Sequence, residues 1–492
     1  MPQINWMEWG EEAFEKAAKE KKPILLDIHG VWCHWCHVMD SNTYSEPEVI
    51  EIVNRDFVSI KVDTDKRPDV NKRYNMGGWP STVFLTPTGQ IITGTTYVPP
   101  DMLKDTMLTV LEAFREIKPV DVKIESKKLE AKEDAKISHE IVSAITENLS
   151  KYFDFSFGGF GVMPKFPLCD AVSLALQQYK KTGKKEHLIL AGLTLDKMQG
   201  IFDKIEGGFY RYSVTQQWDE PHYEKMLETN SGLIENYLLG CEILKKEMYK
   251  STATKSLDYI KNNLLNKQGA FYGSQDADEE YYKLDANKRK NHGKPKIDGH
   301  IYTDLSSMML STFCLAFQVL KDNFYRDFAV KSAKFLADKC YDEKFGMHHY
   351  FDGKRKYLPG NLSDNVYFIK ALINVFEITG NNQHLEFAGI LTKFVIENFM
   401  DKQDSCFFDK IKNPSDIGFL KYQDKPIIEN SIQAINLVKL SKIKNEKKYL
   451  DSAENILKAF YSGYAKYGPH ETIYALAVEE FLSDKVSHNN NL

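Results

Sequence analysis

Cysteine is scarce in this chain: seven occur among 492 residues, an odd number, and most of them are scattered. That excludes a disulfide-stapled extracellular scaffold and fits a reducing compartment. An excess of charge of one sign is also lacking. The formal net charge is only −5, which argues against nucleic acid or an anionic membrane as the main partner. No apolar run approaches the roughly 18 residues of a membrane-crossing helix. Met1-Pro2-Gln3-Ile4-Asn5-Trp6 lacks the basic and apolar regions of a secretion signal. A cytoplasmic protein with no nucleic-acid and no membrane partner is expected. The apolar content of 42% and aromatic content of 12% are those of a packed globular chain. The length calls for two or three domains.

Two of the cysteines are not scattered. Cys33-His34-Trp35-Cys36 follows the apolar strand Ile24-Leu25-Leu26-Asp27-Ile28 and falls where a helix should begin. The unpaired N–H groups and partial positive charge of a helix N-terminus favour thiolate at a cysteine placed there. The two-residue spacing lets the pair close a small disulfide ring and reopen it, which makes redox exchange the leading chemistry. The same residues admit other readings. With His37 the segment matches the haem-attachment pattern Cys-x-x-Cys-His, and it gathers four soft or borderline metal ligands within five residues. Covalent haem needs export or special maturation, and tetrahedral zinc sites usually draw on two separated pairs. The chain has no second Cys-x-x-Cys. A chemically inert relic is the last alternative. No metal and no cofactor are expected.

The flanking sequence alternates helix and strand. An amphipathic helix spans Glu8 to Lys19, and a second strand covers Phe57 to Asp63. Gly77-Gly78-Trp79-Pro80 then stands directly before the apolar run Ser81-Thr82-Val83-Phe84-Leu85, Gly89 turns the chain into Gln90–Thr93, and a helix runs from Met102 to Ile117. This order resembles a thioredoxin fold. The resemblance implies that Cys33 attacks as thiolate, that Cys36 resolves the mixed disulfide, and that Asp27 is a buried carboxylate handling the Cys36 proton. It also implies a cis Pro80 facing the disulfide and shaping a docking groove. Asp27 could instead be a strand-end residue hydrogen-bonded to a turn. A protonated His34 would favour the neighbouring thiolate and make the pair more oxidising. The implied partner is a protein thiol or disulfide, or a component of a thioredoxin system.

Further motifs extend the resemblance. Cys33-His34-Trp35-Cys36-His37-Val38-Met39, Ile60-Lys61-Val62-Asp63 with Arg67-Pro68-Asp69, and Gly77-Gly78-Trp79-Pro80 are similar to the spermatogenesis-associated thioredoxin-like proteins and their microbial relatives. So are Gly158-Gly159-Phe160-Gly161 with Pro164-Lys165-Phe166-Pro167, Gly207 to Ser213, Pro221 to Leu227 and Asp276-Ala277-Asp278. Asp27 departs from the small or hydroxyl residue expected in many relatives and makes this chain more thioredoxin-like.

Beyond residue 118 the composition changes. Residues 119–136 are charged and short of apolar anchors, as in a linker. Twelve segments of helical period follow, near 137–152, 169–182, 186–203, 226–246, 249–264, 303–321, 324–340, 363–379, 382–399, 427–441, 446–462 and 469–484. Short turns alternate with long Gly- and aromatic-rich segments such as Gly159-Phe160, Gly208-Phe209 and Cys406-Phe407, a loose repeat of one hairpin plus one loop. The expected architecture is therefore an N-terminal α/β thioredoxin-like domain (1–118), a linker (119–136), an all-α six-hairpin (α/α) toroid (137–485) and a disordered tail (486–492).

Toroids of this kind serve many glycosidases and sugar 2-epimerases, so their loops are the place to seek a second site. Arg211, Tyr212, Trp218, His222, Glu224 and Lys225 lie within fifteen residues, and Lys165, Asp276 and Asp278 stand in neighbouring loops. Paired carboxylates with aromatic platforms suit glycoside chemistry, and a His or Glu beside a cation suits epimerisation of a small carbohydrate. The same residues could equally form ion pairs, Arg211–Glu224 and Lys225–Asp276, that brace loops. His348-His349 is expected at a loop surface or pocket rim, and the basic run 283–296 as a solvated, mobile insertion.

Overall fold

The computed structural model describes residues 3–117, 125–129 and 134–489. The chain divides into two compact units, one of Met1–Lys127 with Lys412–Asp424, the other of Lys128–Ile411 with Lys425–Leu492.

The first unit is built on a five-stranded sheet. Its strands are β1 (Trp6–Met7), β2 (Ile24–His29), β3 (Val58–Asp63), β4 (Ser81–Leu85) and β5 (Ile91–Thr95), in the order β1-β3-β2-β4-β5. β2 runs parallel to β3 and antiparallel to β4. Helices α1 (Glu11–Glu20), α2 (His34–Asn42), α3 (Pro47–Asp56), α4 (Pro68–Tyr74) and α5 (Pro100–Glu116) cover both faces. Successive side chains of a strand point to opposite faces. Ile24, Leu26 and Ile28 therefore pack with α1 and α4 residues such as Phe14 and Val70. Leu25 packs on the other face with Met39 of α2 and Leu103 and Met107 of α5. Asp27 shares that second face, beneath α2. Pairing of Ile28 with Ser81 brings Pro80 to the sheet end from which the chain leads to Cys33.

A correction to the sequence-derived boundaries arises here. Residues 412–424 fall inside the span assigned to the toroid, yet they belong to the first unit. Leu420 is buried in its core beside Tyr74. The Phe419 N–H donates to Tyr74 Oη at 2.8 Å, and Arg73 donates to the Phe419 carbonyl at 2.9 Å. The Lys127 N–H donates to the Gln423 carbonyl, so this stretch of the expected linker is held as well. The rest of that linker at 118–124 and 130–133 lies outside the described residues.

Among the described residues the second unit has six helical hairpins. Inner helices α7 (Cys169–Thr182), α9 (Leu227–Leu244), α13 (Thr303–Leu320), α15 (Leu362–Thr379), α17 (Ile427–Lys444) and α19 (Glu471–Asn489) pack in sequence, and α19 closes the ring on α7. Outer helices α8 (Lys185–Lys197), α10 (Glu247–Tyr259), α14 (Asn323–Cys340), α16 (Asn382–Phe399) and α18 (Lys447–Phe460) each follow their inner partner, while α6 (His139–Lys151) covers α19. Buried polar groups tie inner neighbours together: Ser231 to Thr312 at 2.8 Å, Asn236 to Ser173 at 2.8 Å, and Asn436 to the Val366 carbonyl at 2.9 Å. Helix α13 has the length and mean hydropathy (18 residues, 1.2) of a membrane span, but it stands between α9 and α15 as a core helix. The short helix α11 (Glu279–Lys283) leads into the run expected to be solvated, and a second, α12 (Ala286–Asn291), lies within it. Arg289 is buried there against Asp203 at 2.7 Å, which fixes the insertion. Helix α19 continues to Asn489, so the tail expected to be disordered from 486 is helical that far, and 490–492 lie outside the described residues.

Candidate functional site

In the first unit Cys33 caps helix α2, and its Sγ accepts the Cys36 backbone N–H at 3.3 Å. Both cysteines are free thiols and both are buried. Trp35, between them, is exposed, while Trp32 is buried and its indole donates to Asp65 at 2.8 Å. Burial, the Cys33 sulfur and the charge of Asp27 all push the Cys36 thiol far up, so Cys36 rests as a thiol. The Trp79–Pro80 peptide bond is cis.

Asp27 is 1% exposed. The β2–β3 register sets it opposite Lys61, whose Nζ lies 3.4 Å from Asp27 Oδ2 and 2.5 Å from Asp40. Tyr44 donates to Asp27 Oδ1 at 3.4 Å, and His29 Nδ1 lies 3.8 Å away. Burial raises the Asp27 carboxyl to about 6, with Lys61 opposing the rise. Burial, together with the Lys61 charge, takes His29 down to about 3, so this imidazole is neutral. A carboxyl poised near neutrality below a high thiol can take or return one proton.

In the second unit the loop residues separate into two groups. Lys165, Lys225 and Trp218 are fully buried. Lys165 bonds Asp154 and, at 2.7 Å, the Gly158 carbonyl. Lys225 bonds Asp203 at 2.7 Å and the Gly207 carbonyl at 2.8 Å, and burial pulls its ammonium down to about 8. Lys425 repeats the arrangement with Asp401 and Asp404. Each lysine plugs a tight turn that carries the chain from an outer helix to an inner one. In those turns Asp154, Asp203 and Asp401 donate their backbone N–H to Gly159, Gly208 and Cys406. The Gly-Phe repeat is thus a structural hairpin. Gly207 has φ +80°, and a Cβ there would lie 2.3 Å from the Lys255 carbonyl. The partner of Lys225 is Asp203, not Asp276. Trp218 donates to the Phe157 carbonyl at 3.1 Å and offers no face to a ligand. Asp278 caps α11, and Asp276 donates its N–H to Lys296.

The remaining loop residues do come together. Phe166, Tyr212 and His222 stack with centroids 4.4 Å apart, and Arg211 lies over Tyr212 at 5.6 Å. His222 Nδ1 meets Glu224 at 3.4 Å.

A cavity of about 340 Å³ lies where all six inner helices begin, lined by Asp170, Glu228, Glu235, Tyr367, Lys370 and His470 among others. Every inner helix places an acid in its first turn: Asp170, Glu228, Asp304, Asp364, Glu429 and Glu471. Burial raises Asp170 and Glu228, opposed by Lys370 at the first and Arg211 at the second. Asp304, Asp364 and His349 bring one ligand atom each within 4.8 Å of the others. Burial and the Asp364 charge raise the Asp304 carboxyl to about 7. His348 and His349, expected at a loop surface or pocket rim, lie on the strand Gly346–Phe351 and are 9% and 3% exposed, on opposite faces because strand side chains alternate. The inner-helix acids escaped the sequence reading because an acid in a first helical turn is ordinarily explained by the helix dipole. Their recurrence at all six helix starts was the available signal.

Residues 1–139 match the Thioredox_DsbH family, described as a protein of unknown function, DUF255. An uncharacterized protein of Caenorhabditis elegans is 35% identical over 304 residues, covering 56% of this chain and 41% of that one. Spermatogenesis-associated protein 20 of Homo sapiens is 32% identical over 306 residues, covering 56% and 39%. The chain thus spans about two-fifths of the length of these relatives. Among solved structures, cellobiose 2-epimerase from Spirochaeta thermophila superposes with a TM-score of 0.57 at 12% identity, covering 70% of this chain and 96% of the epimerase. The chain therefore joins a segment that matches the Thioredox_DsbH family and resembles spermatogenesis-associated protein 20 to a toroid of the fold seen in cellobiose 2-epimerase.

Proposed function

We propose that the first unit is a thiol–disulfide oxidoreductase working through Cys33 and Cys36. The observation that carries this reading is the pair itself: Cys33 at the start of α2 with the Cys36 N–H on its sulfur, above a buried Asp27 held near neutrality. The Cys33 thiolate attacks a substrate disulfide; one S–S bond forms, one breaks, and the leaving sulfur takes up a proton. Cys36 passes its proton to Asp27 and attacks Cys33, releasing the second substrate thiol and leaving the Cys33–Cys36 disulfide. A protein dithiol, such as a thioredoxin-system component, reduces that disulfide, and the same steps reversed oxidise a substrate dithiol. The cytoplasm, where such dithiols are maintained, is the compartment that suits this cycle. Alkylation of the full chain across a glutathione or dithiothreitol redox series tests the reading. A reversible two-electron transition between about −270 and −120 mV is expected. No disulfide at any poise would sink it.

A second reading concerns the toroid, favoured by the axial cavity and its carboxylates. There the chain acts on a small carbohydrate by epimerisation or hydrolysis, with a carboxyl of the cavity moving the proton. Incubation with a panel of aldoses and disaccharides, followed by proton NMR, is expected to show an epimer or a cleavage product. An unchanged panel would leave the toroid as a binding scaffold.

A further inference from the structure

We propose that Asp304, His349 and Asp364 form a binding site for one divalent transition-metal ion of the Mn²⁺ or Zn²⁺ class, at the inner-helix starts that ring the toroid cavity. The site depends on neither the redox nor the carbohydrate reading.

The first support is geometric. His349 Nδ1 lies 2.9 Å from Asp364 Oδ1 and 4.0 Å from Asp304 Oδ1. Ligand atoms about 2.0–2.2 Å from a tetrahedral metal stand roughly 3.4 Å from one another. The two separations bracket that value, so small rotations about the side-chain bonds bring all three onto one ion.

The second support is charge. At three other places in this unit the carboxylates of the turns are met by a buried cation. Asp154 has Lys165, Asp203 has Lys225 and Arg289, and Asp401 and Asp404 share Lys425. The Asp304 side chain is 14% exposed and that of Asp364 is 0% exposed, and among the described residues their one ion-pair partner is His349. The Glu228 charge also bears on Asp304. Two buried carboxylates facing one imidazole are short of positive charge, and burying carboxylates without it is strongly unfavourable. A divalent cation supplies what lysine supplies at the other three places.

The scaffold holds the donors firmly. Asp304 and Asp364 stand on the first turns of α13 and α15, His349 on the Gly346–Phe351 strand, and Asn361 Nδ2 donates to Asp364 Oδ2 at 3.3 Å. Met308 and Tyr367, one turn along α13 and α15, line the cavity, and the Asp304 side chain keeps 14% of its surface exposed. One imidazole with two carboxylate oxygens suits Mn²⁺ or Zn²⁺ better than the thiolate-seeking Cu⁺.

The test uses the full chain carrying Cys33→Ser and Cys36→Ser, so that thiols cannot take zinc. After removal of metal by a chelator, Mn²⁺ is titrated and followed by electron paramagnetic resonance. One Mn²⁺ per chain is expected, displaced by Zn²⁺, with one histidine-nitrogen coupling in the echo modulation of the bound ion. Asp304→Asn and His349→Gln, once near-UV circular dichroism shows them folded, should each weaken binding by at least about 10-fold. No bound ion, a bound ion without nitrogen coupling, or undiminished affinity in a folded variant would overturn the proposal. The nitrogen coupling decides the matter even if both variants fail to fold.

Discussion

Replacing Cys33 by serine is expected to lower thiol–disulfide exchange to the uncatalysed background, while Cys36→Ser should leave the first half of the reaction intact. The difference follows from position. Cys33 caps the N-terminus of α2, and its sulfur accepts the Cys36 N–H. A serine hydroxyl at the same place holds its proton at neutral pH and cannot attack a disulfide. Cys36 is buried one turn on, and both burial and its neighbours hold it as the thiol, so in the proposed cycle it should act only after Cys33 is bonded to substrate. The Cys36→Ser chain should therefore accumulate a mixed disulfide at Cys33, visible as an intact-mass increase equal to the substrate thiol. The Cys33→Ser chain should show none. Equal trapping by both variants would mean that the order of attack is wrong.

Asp27→Asn stabilises the first unit by about 2–3 kcal/mol at pH 7 and leaves it almost unchanged at pH 4. The native carboxyl titrates at about 6, and an unfolded aspartate near about 3.9. Between those values the native state binds more protons than the unfolded one, so stability falls as pH rises through the window and the loss is complete above it. Asparagine carries no charge to bury and removes the loss. Lys61 is not stranded, because Asp40 lies 2.5 Å from its ammonium, and asparagine's own oxygen can still accept from Tyr44. Urea unfolding by tryptophan fluorescence measures the effect in the right place. Five of the six tryptophans, Trp6, Trp9, Trp32, Trp35 and Trp79, belong to the first unit. The same substitution should slow exchange, because Cys36 loses its proton acceptor. An equal gain at both pH values would show that Asp27 does not titrate as described.

Much of this molecule is legible in its sequence because the relevant physics is local. Periodicity of 3.6 marks the twelve long helices to within a few residues, and a strand followed by Cys-x-x-Cys marks the start of α2. Proline before an apolar run likewise marks β4. For Asp27 the resemblance implied a buried carboxylate or, alternatively, a strand-end residue bonded to a turn; alternation along β2 in the fold sets it on the face beneath α2, 1% exposed.

Other features required the folded chain, because they depend on contacts between residues far apart in sequence. The polar stretch 412–424 has no period, and only the distant Arg73 and Tyr74 reveal that it completes the first unit. Lys165 and Lys225 stand in the sequence as pocket candidates, Lys225 also as a loop-bracing partner of Asp276, and only the fold shows Asp154 and Asp203 holding them. Asp304, His349 and Asp364 come from three separate segments and carry no shared motif. Local sequence fixes where helices and strands form and which face is apolar. Only closure of the helical ring decides which carboxylates share a cavity and which of them lack a cation.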